Sequence, residues 1–290
     1  MHTTLKSDKK EVTLGIDQPF VIIGEKINPT GHKKLAAALT EGNFDYIRQL
    51  AERQVAWGAD VLDINVGVPG LDEVAMIPKV VELVASVVDV PLCLDSGNPA
   101  VLASGLAAAP GKPLVNSVSG EEKRLQNVLP IVKDRGAAVI GLTMDDNGIP
   151  KTAEERVAVA EKIIERAAKL GIPTEDIIID PLVLTVGSDS KAATVTLEAI
   201  ELIRKQFGVN INLGASNVSF GLPDRLSVNQ AFLALAIQCG ATCSITDPMK
   251  LGTMVKAADL LLGRDDYAMR FIKYFRTAEA LREKEAQKPA

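Results

Sequence analysis

Aromatic side chains are scarce in this sequence: Phe, Trp and Tyr make up 4% of 290 residues, against 47% hydrophobic overall. A core with so few rings relies on Val, Ile, Leu and Ala, which suits helices and parallel strands buried on both faces. Histidine is scarcer, with only His2 and His32. His32 follows Gly31 in a loop, so a Ser–His–Asp or Cys–His hydrolase is not expected. The three cysteines, Cys93, Cys239 and Cys243, form neither a Cys-x-x-Cys pair nor a disulfide framework. Structural thiols in a reducing cytoplasm fit them best, and a built-in metal site is poorly supported. No apolar run approaches the roughly 18 residues of a membrane span, and the amino end has no apolar signal core. Lys and Arg are scattered singly in a chain of net charge −5. A nucleic-acid binder, which usually shows a basic face, is therefore not expected.

What the chain does have is a recurrence of apolar runs that end in an acid or an amide. Residues 20–24 lead to Glu25 and Asn28, 61–64 contain Asp63 and end at Asn65, and 92–94 end at Asp95. Residues 114–115 stop at Asn116, 138–144 contain Thr143, and 177–179 stop at Asp180. Residues 211–215 run into Ser216 and Asn217, and 244–246 stop at Asp247. Eight short strands alternating with helical segments indicate a single (β/α)8 barrel, whose strand carboxyl ends share one mouth. The helices have readable limits. Thr152 precedes Glu155 as a capping box, Val157, Ala160, Ile164 and Ala167 follow at helical spacing, and Gly171 with Pro173 stops the run. No linker interrupts the pattern. The expected organisation is a flexible segment over 1–19, the barrel over 20–263, and a helix with a charged tail over 264–290. Tyr267, Phe271, Tyr274 and Phe275 fall on one face of that last helix, expected to pack across the barrel bottom or against a sister subunit.

Asp63, Asn65, Asp95, Asn116, Asp180 and Asn217 all fall at strand ends. Singly, each could cap a helix or bond its own turn. Together they make a pocket of carboxyls and amides with almost no cation, Arg225 and Lys26 being the candidates. Buried carboxylates without cations need donors. A flat heterocycle with an amino-pyrimidinone edge supplies them, because one carboxylate accepts its ring N–H and exocyclic amine together. A divalent metal such as Mg2+ in an aldolase-type barrel is the rival occupant. Residues 212–216 give only a weak phosphate-loop signal.

The runs VIIGEKIN (21–28), GADVLDINVG (58–67), PLCLDS (91–96), VNSVSG (115–120), GAAVIGLTM (136–144), IIIDPL (177–182), LGASNVSFGLP (213–223) and NQAFLALAIQCG (229–240) resemble the pterin-binding methyltransferases. These include the methyltetrahydrofolate:corrinoid iron–sulfur protein methyltransferase and the folate module of cobalamin-dependent methionine synthase. The similarity runs from about residue 20 to 275. It implies that Asp95, Asn116 and Asp180 bind the pterin's pyrimidine edge, that Asp63 belongs to the same network, and that Asn217 reaches N5, where the methyl is carried. Arg225 matches an arginine of the following loop, and Asn65 and Ser216 neighbour the pocket. The resemblance further implies tetrahydrofolate or 5-methyltetrahydrofolate as substrate, a corrinoid (cobalamin) on a partner protein, no metal of the enzyme's own, and a homodimer. Dihydropteroate synthase is the competing family reading. It calls for a diphosphate site, a lysine near the seventh strand and an arginine in the second-strand loop, whereas residues 65–73 read NVGVPGLDE. A non-catalytic folate-binding subunit of a corrinoid complex is the third.

Overall fold

The computed structural model describes residues 1–287. The end of the expected charged tail, 288–290, lies outside the described residues. The chain opens with an antiparallel hairpin, β1 (Thr3–Lys6) and β2 (Glu11–Leu14). The barrel follows as β3 (Val21–Ile27), α1 (Lys33–Glu41), α2 (Phe44–Ala56), β4 (Val61–Ile64), α3 (Glu73–Val87), β5 (Leu92–Asp95), α4 (Pro99–Ala108), β6 (Leu114–Ser119) and α5 (Glu122–Arg135). It continues with β7 (Ala138–Leu142), α6 (Ala153–Lys169), β8 (Ile177–Asp180), α7 (Ala192–Phe207), β9 (Asn210–Ile211), α8 (Arg225–Cys239), β10 (Cys243–Thr246), α9 (Pro248–Leu261) and α10 (Met269–Ala286).

Strands β3 to β9 pair in sequence order, all parallel, with β10 beside β3. The seam between β9 and β10 is closed by backbone bonds from Thr242 N to Ile211 O (3.0 Å) and from Ile245 N to Leu213 O (3.0 Å). This is the expected (β/α)8 barrel. The Thr152–Glu155 capping box is present, each side chain accepting from the other's backbone N–H at 3.2 Å. The seventh strand is shorter than the 211–215 expected. It ends at Ile211, and Ala215–Ser219 coil into a short 3-10 helix.

Alternation along the strands separates two cores. Outward residues such as Leu62, Leu94, Val115 and Ile179 pack against the helices. Inward residues Val21, Ile23, Val61, Cys93, Leu114, Ile140, Ile178 and Cys243 fill the barrel together with Leu5, Val12 and Leu14 of the hairpin.

Residues 1–19 are therefore not the flexible segment expected. Leu5 and Leu14 are fully buried and plug the barrel's amino-terminal end. Asn210 Nδ2 donates to Thr3 Oγ1 (2.9 Å) and Leu14 O (3.3 Å), and Lys6 exchanges backbone bonds with Lys112. Because the hairpin occupies the bottom, α10 packs elsewhere, against α9 and α2. Tyr274 abuts Gly252 and Gly58 and donates to Pro248 O (3.4 Å), while Arg53 and Trp57 of α2 bond Glu285. Of the aromatic face, Tyr267 is 94% exposed and Phe275 partly so.

Candidate active site

The period of two that builds the barrel also builds the site. Two residues beyond inward Val61, Cys93, Leu114 and Ile178 come Asp63, Asp95, Asn116 and Asp180, which turn the same way one layer higher. Parallel register sets Asp63 beside Cys93 and Asp95 beside Asn116. The polar residues thus meet over an apolar floor.

Asp63 (2% exposed) accepts from Asn116 Nδ2 at 3.2 Å and from the Cys93 thiol. Asp95 accepts from Asn65 Nδ2 at 3.0 Å and Asn28 Nδ2 at 3.4 Å, both on the same oxygen. Asn65 is itself oriented by Gly67 N, which donates to its carbonyl at 2.7 Å. The donors on both carboxyls are thus neutral, and burial dominates their chemistry. It pushes Asp63 up to about 8, with the neighbouring Asp95 adding repulsion, and raises Asp95 as well. Burial and the adjacent Asp95 thus favour the protonated form of Asp63.

The mouth is less empty of cations than the sequence implied. Lys26 lines it, but its ammonium is bound to Asp247 (3.0 Å) and Glu25 (3.3 Å). Burial alone would depress Lys26; those two carboxylates outweigh it and raise its pKa. Its charge is therefore spent locally, and burial still raises the Glu25 carboxyl.

Asp63, Asp95, Asn116 and Asn217 line one cavity of about 730 Å³, together with Glu25, Lys26, Asn28, His32, Tyr46 and Met249. That volume lies in the range of sites for small molecules and cofactors. Asn217, on the 3-10 turn, is exposed to it. Asp180 is not on this wall. It is 5% exposed, accepting from Leu182 N and Asn212 Nδ2, each at 2.8 Å, and burial pushes it up to about 6. The Gly214 backbone N–H also faces it, and with these donors the carboxylate keeps acceptor capacity to spare.

Ser216 and Arg225 line a smaller cavity of about 280 Å³, which shares Glu25 and Lys26 with the first. Arg225 turns back on its own loop, with Nε donating to Ser219 Oγ (3.0 Å) and Nη2 to Ser216 O (2.7 Å), its guanidinium 5.7 Å from the Phe220 ring. It braces the turn that carries Asn217.

Glu25, Asn28 and Asp247 join the site although only their strand-end position marked them. Asn212 was the less visible miss, an amide just past β9, a strand too short to show alternation. Among the described residues no group of three His, Cys, Asp or Glu side chains could hold a metal ion, and no helix is long and apolar enough to cross a membrane.

A profile of the pterin binding enzymes matches residues 24–247. The methylcorrinoid:tetrahydrofolate methyltransferase of Eubacterium limosum is 33% identical over 265 residues, covering 89% of this chain and 96% of that protein. The methionine synthase of Mycobacterium tuberculosis is 32% identical over 248 residues, and the match spans about a fifth of its length (21%). Among solved structures, Yersinia pestis dihydropteroate synthase with a pterin–sulfa conjugate superposes with a TM-score of 0.70 at 20% identity, covering 91% of this chain and 99% of that one. The dihydropteroate synthase of Xanthomonas albilineans gives 0.65 at 23%, covering 86% and 95%. Those structures share the fold, and the profile and the relatives above 30% identity show the family. The chain belongs to the pterin-binding enzyme family.

Proposed function

We propose that this enzyme is a methyltransferase that moves a methyl group between N5 of tetrahydrofolate and the cobalt of a corrinoid on another protein. The observation that carries this reading is the shared cavity, in which buried carboxyls without a free cation meet the exposed amide of Asn217. It is supported by the 33% identity with a named methylcorrinoid:tetrahydrofolate methyltransferase, which extends over almost the whole of both chains.

Asp95 and Asp180 accept from the N–H groups of the pterin's pyrimidine edge, and Asn116 fills the remaining donor or acceptor position. Desolvated carboxyls bonded only to amides are poorly satisfied when the cavity is empty, and such an edge completes them. The partner's corrinoid supplies the cobalt that exchanges the methyl group. When the methyl leaves, the C–N electron pair stays on N5, and proton density offered there lowers the barrier. Asp63, protonated at neutral pH, and Asn217, donating from the rim, provide it through a preorganised network. In the reverse direction the Asp63 carboxylate takes the proton back as N5 attacks the methyl carbon, while Asn217 keeps its hydrogen bond to the ring. The enzyme is further taken to be a cytoplasmic homodimer, a second copy covering exposed apolar side chains such as Leu261 and Met269.

The test is spectroscopic. The purified protein is mixed with 5-methyltetrahydrofolate and reduced cobalamin, and the methylcobalamin spectrum is followed. Folate binding without turnover would make this chain a carrier subunit, and no binding would remove the pterin site altogether.

A further inference from the structure

Arg156, on α6, is 1% exposed and the largest fully buried side chain among the described residues. Its hydrogen bonds go to neutral oxygens: Nε donates to Pro150 O (3.2 Å), and Nη1 to Pro181 O (2.9 Å), Leu182 O (2.9 Å) and Thr196 Oγ1 (3.1 Å). A guanidinium so placed is costly to desolvate, and an uncharged donor could reach a carbonyl without that cost. Two of the three carbonyls it holds, those of Pro181 and Leu182, belong to the residues that follow Asp180.

Asp180 presents the mirror of this arrangement, a buried carboxylate held by the neutral donors Leu182 N and Asn212 Nδ2. One short segment therefore carries a buried cation on one side and a buried anion on the other. Leu182 joins them, giving its N–H to Asp180 and its C=O to Arg156, in a left-handed conformation (φ 63°) that Leu rarely adopts. The other groups facing Asp180 add no charge. Asn212, just after β9, is neutral, and the Cys243 thiol on β10 is pushed up by burial and stays protonated. Asp63 and Asp95 stand on β4 and β5.

We propose that Arg156 is a positioning residue for substrate binding, its hydrogen bonds to the Pro181 and Leu182 carbonyls fixing the 180–182 turn that aims the Asp180 carboxylate, with its charge set behind that turn as a counter-charge. This rests on the reading above, in which an ionised Asp180 accepts from the pterin edge. The electrostatics agree in direction: burial lowers Arg156, which Asp180 offsets in part, and burial raises Asp180, which the Leu182 N–H and the Asn212 amide offset first and the Arg156 charge further.

The experiment follows the Asp180 carboxyl by 13C NMR in the ligand-free protein, assigned with Asp180→Asn, alongside folate affinity and turnover. In Arg156→Gln and Arg156→Met the Asp180 midpoint is expected to rise by on the order of one pH unit, as when an opposite charge nearby is removed. The KM for 5-methyltetrahydrofolate at pH 7 should rise about twofold from the lost ionised fraction, and more steeply as pH falls towards 6, with kcat at saturation little changed. Arg156→Lys keeps the cation and is expected to keep the midpoint near wild type even where its melting temperature falls. Neutral variants that lose stability but titrate Asp180 as wild type does would reduce Arg156 to a structural brace. If neither neutral variant folds, the Lys variant decides, and a midpoint that climbs a full unit with the charge retained overturns the assignment. A wild-type protein that binds no folate would sink the functional reading, but the ligand-free titration would still test the charge pairing.

Discussion

Asp63 offers the most direct check on how the empty mouth is held. Its carboxyl is buried, raised to about 8 from 3.8, and bonded by the Asn116 amide and the Cys93 thiol. Because the folded-state value lies above the unfolded one, its favourable contribution is complete below pH 3.8 and disappears as pH rises towards 8. At pH 7 the unfolded chain has ionised this group and the folded chain has not. That difference of roughly three units is worth at most about 4 kcal/mol against folding. Asp63→Asn keeps an oxygen for both donors and removes the titration, so it should stabilise the ligand-free protein by about 2–4 kcal/mol at pH 7, and by less as pH falls towards 5. Urea unfolding at several pH values between about 5 and 9 measures this, the wild-type curve falling with pH more steeply than the variant's. The same substitution removes an acid and should slow methyl transfer about 100-fold. Parallel stability curves for the two proteins would refute the claim that Asp63 is kept protonated in the fold. A stabilised variant of full activity would leave the protonation intact and exclude Asp63 from the chemistry.

Asp95→Ala and Asp180→Ala should each weaken 5-methyltetrahydrofolate binding by about 2–4 kcal/mol in calorimetric titration, as when one partner of a buried charge-assisted pair is lost; titration indistinguishable from wild type would count against this pocket. Asn217→Ala, at an exposed position, should leave stability unchanged and lower the single-turnover methyl-transfer rate roughly 10- to 1000-fold. A wild-type rate with free cobalamin would remove Asn217 from the mechanism. Leu14→Ala, at the centre of the barrel plug, should cost about 2–5 kcal/mol in urea denaturation; a near-neutral effect would show that the hairpin does not support the barrel.

The barrel was legible because its strands are buried on both faces and read as unbroken apolar runs, each punctuated by a polar residue. The amino-terminal hairpin was not, for the opposite reason. Each of its strands is four residues long, one face carries only Leu5, Val12 and Leu14, and the connecting Ser7–Asp8–Lys9–Lys10 makes the whole stretch look polar. Alternation so short has little weight in a sequence, yet it decides where α10 can go. With the bottom closed by Leu5 and Leu14, the carboxyl-terminal helix is left the outer flank of α2 and α9. One misread segment thus displaced a second one.

In the site, the strand-end rule works because inward direction is inherited in steps of two, so Val61 predicts the direction of Asp63 and Ile178 that of Asp180. The rule says nothing of depth. Asp95 lines the cavity while Asp180 stands back from its wall, bonded by the Asn212 amide and by a turn that Arg156 holds, contacts made across 32 and 25 residues. Arginine roles are equally hard to read. Arg225 follows Asn217 in a polar loop, which from sequence suggests a hand for the ligand. The 3-10 turn, however, presents the Ser216 carbonyl and Ser219 hydroxyl, already bonded to each other, side by side, and Arg225 donates to both. A guanidinium occupied in this way can still act on the ligand, by holding the Asn217 amide in place before N5 arrives. Loop arginines beside amide-rich strand ends are therefore better expected to order the loop than to meet the substrate.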